Sequence, residues 1–335
     1  MSSSSDLPGQ HDRRSGANSR RRFLQATSAT LAGLALMPRG VFAGTASPRD
    51  AETVIGELYN SLSETQRKAI CFAVNDPVRT RVNANWHVAK PLIGSDFYSD
   101  KQKAMIDEIV RNVTSEEGHK KLMQQLDEDD GGIGAYSLAV FGDPSRGESG
   151  KEAFECLITG RHLTLRADGN SIENIAFGGP IVYGHGEESS AEDNLFYHQT
   201  VQVNKVFAAL DAKQAEKALL NQPPAETNVQ VQGKNGAFPG LAVGEMSADQ
   251  KSVVKETLQK LLSPYRDQDV SEVMAIIEAA GGLDMLRFAF YQQGDLGQDR
   301  IWDIWRIEGP AFVCHFRGAP HVHAYLHVAG PNQVG

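Results

Sequence analysis

The sequence predicts an α+β fold, with a helical N-terminal part packed on a largely antiparallel sheet that includes the C-terminal strands. Three observations predict it. Apolar residues recur at helical spacing over most of the first half of the mature chain and again between residues 196 and 280. From residue 134 the apolar period changes to two, and the last fifty residues read as strands separated by Gly/Pro turns. Helical and strand patterns come in runs instead of strict alternation, which separates α+β from a parallel α/β sheet.

Taken in order, Leu58, Leu62, Ala69, Ile70 and Ala73 mark the first helical stretch. Ser63 with Gln66, Ser99 with Gln102 and Ser247 with Gln250 each form a Ser-x-x-Gln capping box and predict helix starts. No longer period joins the three boxes, so no internal repeat is expected. Asp127 to Asp130 followed by Gly131-Gly132 lacks the Glu of a calcium loop, since Leu138 stands at that place, and reads as a solvated helix end with a Gly cap. Tyr136, Leu138 and Val140 predict a strand closed by Gly142-Asp143-Pro144. Phe154 to Arg166 reads as a strand pair, or one bent strand, around Gly160, and Ile172 to Val182 as the next strand. Residues 196–221 predict one helix, and 222–245 a long loop. Helices at 248–262 and 271–280 precede strands at 286–292, 300–308, 311–317 and 321–328.

The N-terminus reads as an export signal. Arg20-Arg21-Arg22-Phe23-Leu24 fits the twin-arginine pattern, a weakly apolar stretch follows to Met37, and Val41-Phe42-Ala43 offers a cleavage site after Ala43. Residues 1–43 are thus assigned to the signal, 44–50 to a short leader and 51–335 to a single domain, with the periplasm or the extracellular space as destination and the twin-arginine export machinery as partner. No later segment is apolar enough for a stable membrane span. The whole chain carries a net charge of −9, and the signal contributes six Arg and two Asp, so the mature chain is more acidic still. Such a balance argues against nucleic acid as a partner. Cys71, Cys156 and Cys314 are widely spaced and predict buried, inert thiols.

Histidine carries the chemical signal. Four of the ten, His315, His321, His323 and His327, fall in the last 21 residues. His321-Val322-His323 on a strand puts both imidazoles on one face. A three-residue turn, Gly318-Ala319-Pro320, would set His315 directly opposite His323, so three imidazoles would converge as a metal requires. His162 shares a face with Thr164 and Arg166 if Leu163 and Leu165 are buried, and His185 sits between Gly184 and Gly186, free to bend toward a ligand. His87 reads as structural and His119 as a solvated helix residue.

The order of motifs is specific. Leu58-Tyr59 with Leu62-Ser63-Glu64-Thr65-Gln66, Trp86, Tyr136 to Pro144, Gly160-Arg161-His162-Leu163-Thr164-Leu165, Gly179-Pro180, Arg306-Ile307-Glu308-Gly309-Pro310 and His321-Val322-His323 follow one another over about residues 52–330. In this the chain resembles the bacterial domain-of-unknown-function family numbered 3500. The resemblance implies one exported domain and brings no activity with it. It also implies that His162, His321 and His323 stand at family positions, whereas a family His pair is here Arg161-His162, and Cys314-His315 stands where an acidic residue is usual.

These readings make His162, His321 and His323 the first metal ligands, with His185 and His315 as candidates for a fourth. Neutral imidazoles suit Cu or Zn first, with Fe or Mn if a carboxylate joins. Glu187 is a candidate general base or ligand, and Arg161 or Arg166 a candidate holder of an anionic small-molecule substrate. The function expected is a metal-dependent oxidoreductase, because folded export suits a redox metal. The alternatives are a zinc hydrolase or a non-catalytic exported binding or envelope protein. No phosphate loop or Rossmann glycine pattern occurs, so no nucleotide cofactor is expected.

Overall fold

A computed structural model describes residues 50–145, 153–169, 175–188, 194–297 and 299–330. The export signal, and most of the leader, lie outside the described residues. The first half of the chain runs α1 (Ala51–Ser61), α2 (Glu64–Ile70), β1 (Cys71–Phe72), α3 (Asp100–Val113), α4 (Glu116–Asp130), β2 (Ser137–Gly142), β3 (Phe154–Gly160), β4 (Leu163–Gly169) and β5 (Ile181–Glu188). The second runs α5 (Tyr197–Ala208), α6 (Ala212–Ala218), β6 (Leu219–Leu220), β7 (Leu241–Ala242), α7 (Ala248–Leu262), α8 (Asp267–Ala279), β8 (Arg287–Tyr291), β9 (Ile304–Gly309), β10 (Phe312–Arg317) and β11 (His321–Val328). The fold is α+β, as expected.

All eleven strands join one sheet in the order β1-β2-β3-β4-β5-β11-β10-β9-β8-β6, with β7 beside β8. Only β1 with β2 and β6 with β8 pair in parallel. The order reads the same from either end once each strand of the first half is matched with its counterpart in the second. The fold is therefore one plan used twice, with β5 and β11 meeting in the middle.

The capping boxes show the repeat at atomic detail. All three predicted boxes form. A fourth, Asp211 with Gln214, opens α6. Gln66 and Gln102 bond each other's side-chain amides and reach the carbonyls of Phe97 and Ser61. Gln214 and Gln250 do the same and reach the carbonyls of Glu245 and Ala209. Both glutamine pairs are 36 residues apart in sequence. The expectation of no internal repeat is thus corrected. The fourth box lacks the Ser-x-x-Gln pattern because Asp, an equally good cap, replaces Ser there.

Helices cover one face of the sheet. Leu138, Val140, Cys156, Ile158 and Leu165 pack under α1 to α4, and Phe288, Phe290, Trp305, Phe316 and Leu326 under α5 to α8. Two long connections cover the other face. Trp86 and Val88 pack on Ala139, Phe141 and Leu157, while Val229 and Val231 pack on Val182, Val313 and Tyr325. We refer to the stretch from Glu226 to Gln232 as the strap.

Several element boundaries differ from the sequence reading: the helix expected at 271–280 begins at Asp267 and the strand expected at 300–308 at Ile304. The helix expected over 196–221 is two helices, broken where the Asp211 side chain caps α6. Of the strand expected over Ile172 to Val182, residues 172–174 lie outside the described residues, a 3-10 turn takes Ala176–Gly178, and β5 begins at Ile181. The register of β11 on β10 differs by two residues from the expected one, because Arg317 pairs with His323 and not with His321. The three thiols are free, with Cys156 and Cys314 buried. Burial pushes the Cys71 thiol up to about 11 and that of Cys314 to about 12, so the inert reading fits them.

Candidate metal centre

Three of the predicted histidines come together where the two halves of the sheet meet. One ligand nitrogen each from His162, His321 and His323 lies within 4.8 Å of the others. The ring centroids are 5.3 Å apart for His162 and His321, 5.1 Å for His162 and His323, and 4.7 Å for His321 and His323. His162 is buried, and the other two are half-buried.

His162 arrives from the turn between β3 and β4, and not from within a strand as the alternation suggested. Gly160 pairs with Leu163, leaving Arg161 and His162 as the turn. His162 takes φ +53°, a left-handed conformation that costs a non-glycine residue about 1–3 kcal/mol unless its surroundings enforce it. They do. Its N–H donates to the Ala84 carbonyl at 2.6 Å, its carbonyl accepts from Gln125 at 3.0 Å, and Tyr136 donates to the Arg161 carbonyl at 3.0 Å. The repeated turn in the second half has Ala311 in the place of His162, between the paired Gly309 and Phe312. The cluster therefore has no imidazole at its symmetry mate.

His321 and His323 share a face of β11, and the register of β11 against β5 shifts between His321 and Val322. A bulge of this kind turns one side chain relative to the next. Here it accompanies an Nε2···Nε2 distance of 3.0 Å between His321 and His323. Two nitrogen lone pairs this close require a proton or a cation between them.

Two carboxylates fix which nitrogens face inward. Asp129 Oδ2 accepts from His162 Nδ1 at 2.9 Å, and Glu226 Oε1 from His323 Nδ1 at 3.0 Å. Each carboxylate holds its imidazole with the proton on Nδ1, which leaves Nε2 as the free lone pair. Asp129 Oδ1 also accepts from the Gly186 N–H at 2.8 Å. Glu226 lies on the strap, where Arg317 Nε sits 2.9 Å from its Oε2. Burial would raise Glu226, but the His323 hydrogen bond and the charges beside it outweigh burial and hold it below the usual carboxylate range. Burial first, then the neighbouring His323 and Arg317, pull His321 down to about 4. Burial lowers His323 as well. Both imidazoles are therefore neutral at pH 7, the form that binds metal.

His185 and His315 lie outside the cluster. His185 pairs with Val322, on the helix-covered face, and its Nε2 bonds Glu128 Oε2 on α4 at 2.7 Å. Its glycine neighbours serve another purpose than bending it toward a ligand. A Cβ at Gly184 would lie 2.2 Å from the Val322 carbonyl oxygen and 3.3 Å from His162 Cβ, and one at Gly186 would meet Arg161 and Asp129. The bare backbone makes room for the His162 turn to reach over β5 to β11. His315 is on the expected face but one pair further along, opposite Tyr325, because the register of β11 on β10 is shifted by two residues from the expected one. It is fully buried, and burial pushes it down to about 3.

Arg166 cannot hold a substrate, since it is buried with Arg79 against Glu155. Arg161 stays half-exposed beside the cluster, 4.0 Å from Asp130. Glu187 is in β5, but its side chain lies outside the described residues. His119 is buried, contrary to the solvated reading, and His87 is exposed with Nε2 3.1 Å from the Ala135 carbonyl oxygen. Asp129 and Glu226 were missed as functional residues. A carboxylate in the last turn of a helix opposes the helix dipole, so Asp129 called for a buried partner. Glu226 carried no such signal beyond its place in a long loop.

No curated protein and no solved structure matches the chain. The family model described as "Protein of unknown function (DUF3500)" matches residues 46–329. By that match over most of its length, the chain belongs to the DUF3500 family.

Proposed function

We propose that this protein is an exported metal-dependent hydrolase with one zinc-class ion held by Nε2 of His162, His321 and His323. The observation that carries the reading is the donor set itself. Three imidazoles converge, two of them backed by carboxylates, and among the described residues no thiolate or further imidazole joins them to close a fourth position. Three neutral ligands with one open position suit a catalytic zinc better than a structural one. Asp129 and Glu226 together supply two negative charges, which balance a divalent ion. The His321–His323 spacing of 3.0 Å is close to what two nitrogens on one ion at about 2.0–2.1 Å require.

A zinc ion at such a site lowers the pKa of a bound water to about 7 and so provides a nucleophile at neutral pH. The chain's part is to hold His162 and His323 in one tautomer and to keep His321 and His323 neutral. Asp129 and Glu226 do the first, and burial does the second. Export by the twin-arginine route belongs to the same proposal and rests on Arg20, Arg21 and the residues up to Ala43. That motif also favours a second reading, in which copper or iron at the same ligands makes the protein an oxidoreductase. Loading the protein with Zn2+ and, separately, with Cu2+ tests the two. The hydrolase reading predicts turnover of a simple aryl ester in proportion to bound zinc, with a rate that rises through about pH 7. Dioxygen consumption by the copper form in the presence of an added reductant such as ascorbate, above that of free copper, with no ester turnover by the zinc form, would replace it by the oxidoreductase.

A further inference from the structure

We infer that the metal centre takes an oxyanion substrate, a carboxylate or phosphate group, held between the ion and the guanidinium of Arg317. The inference rests on the metal reading above and names the substrate class of that site. Arg317 Nη2 lies 3.5 Å from His321 Nε2. Once His321 donates its lone pair to an ion, that lone pair can no longer face the guanidinium. A metal at about 2.0–2.1 Å from the same nitrogen then sits close to a second cation. Two cations at that separation repel strongly in a half-buried site unless an anion lies between them. Glu226 does not fill that place, because its Oε1 already accepts from His323 Nδ1 and its Oε2 lies 2.9 Å from Arg317 Nε.

A second guanidinium stands beside the cluster. Arg161 precedes His162 in the turn, and its Nη2 would lie 2.7 Å from a Cβ at Gly186, on β5, the strand that pairs with β11. Arg161 is loosely held, by a 3.4 Å contact to the Asp129 carbonyl and by Asp130 at 4.0 Å, and its side chain is 42% exposed. Arg317 is positioned by β10 and by Glu226, and its side chain is 22% exposed. The two thus divide the work. Arg317 presents a fixed planar fork beside the metal, and Arg161 closes over the exposed side. A guanidinium fork matches the paired oxygens of carboxylate and phosphate alike.

The test uses the full-length mature protein loaded with Co2+, whose visible bands report both metal binding and any change at the open position. Acetate and inorganic phosphate are titrated separately, with chloride as a control. The expected result is a saturable spectral change with at least one oxyanion, much weaker with chloride. R317Q should leave the anion-free Co2+ spectrum in place and weaken oxyanion binding about tenfold or more. R317K, which keeps the charge but loses the fork, should fall between them, and R161Q should cost less than R317Q. Tighter binding of acetate or of phosphate identifies which oxyanion the site prefers. A Co2+ spectrum that no oxyanion perturbs, or an R317Q affinity equal to that of the wild type, overturns the inference and leaves the metal centre standing. No Co2+ bands at all overturns both.

Discussion

Replacing Asp129 by Asn keeps the shape of the side chain and removes the charge that sets the His162 tautomer. Asp129 is almost fully buried and serves two donors, His162 Nδ1–H at 2.9 Å and the Gly186 N–H at 2.8 Å. Asn has one acceptor oxygen for these two. With that oxygen on Gly186, the amide NH2 faces His162 Nδ1, the imidazole proton moves to Nε2, and the metal-binding lone pair is lost. With the amide flipped, two N–H groups face each other at Gly186 and a buried donor goes unpaired, at about 1–3 kcal/mol. Either arrangement should weaken metal binding about 10–100-fold, or roughly 1.4–2.7 kcal/mol. Competition against a chromophoric chelator at pH 7.5, on protein whose circular dichroism shows it folded, measures the effect. A folded D129N variant that binds Zn2+ within about twofold of the wild type would refute the argument that Asp129 orients His162.

Other consequences follow from the same structure. E155Q removes the buried carboxylate shared by Arg79 and Arg166, and breaking such a site should cost about 3 kcal/mol or more in a urea titration. A loss under about 1 kcal/mol would show that the two guanidiniums are satisfied without it. G184A puts a Cβ against the Val322 carbonyl and His162, so metal affinity should fall even in molecules that remain folded, as equilibrium dialysis would show. Stability should decline in acid. Burial holds His315 at about 3 and His327 at about 4 in the folded state, against about 6.5 in the unfolded chain. The unfolded chain therefore binds the proton first, and stability, complete above about pH 7, falls between pH 6.5 and 4 by roughly 1.4 kcal/mol per pH unit for each histidine. A clearly shallower decline of the melting temperature over that range in H315F/H327F than in the wild type would assign that share of the effect to these two side chains, the remainder coming from His198 and His321, which burial also lowers to about 4. Equal decline in both proteins would remove it from them.

Helices and strands were legible wherever a local signal specified them. The capping boxes at Ser63, Ser99 and Ser247 located their helix starts to the residue, because cap chemistry is local. The long-range features were harder. The twofold plan is carried by packing and strand order, which tolerate wide changes in residue identity, so only the glutamine pairs 36 apart kept its trace. His321 and His323 were legible as a pair because strand alternation is itself local. His162 joins the cluster by another route than the expected one, since it comes from a left-handed turn instead of a strand face. The place of His315 depended on the register at one connection, and a shift of two residues moved it a full pair along the ladder. The carboxylates behind the imidazoles come from a helix end and a long loop far away in sequence, and no sequence spacing joins them to the histidines they hold.

Metal analysis of the mature protein, purified without an affinity tag and dialysed against Zn2+, tests the account most directly. One zinc per chain is expected for the wild type and for H87A, whose imidazole is exposed and outside the cluster. H162A, H321A and H323A should each lose most of the bound zinc while keeping the wild-type circular dichroism spectrum. Zinc at one per chain in all three variants, or none in the wild type at any zinc concentration, would contradict the metal centre.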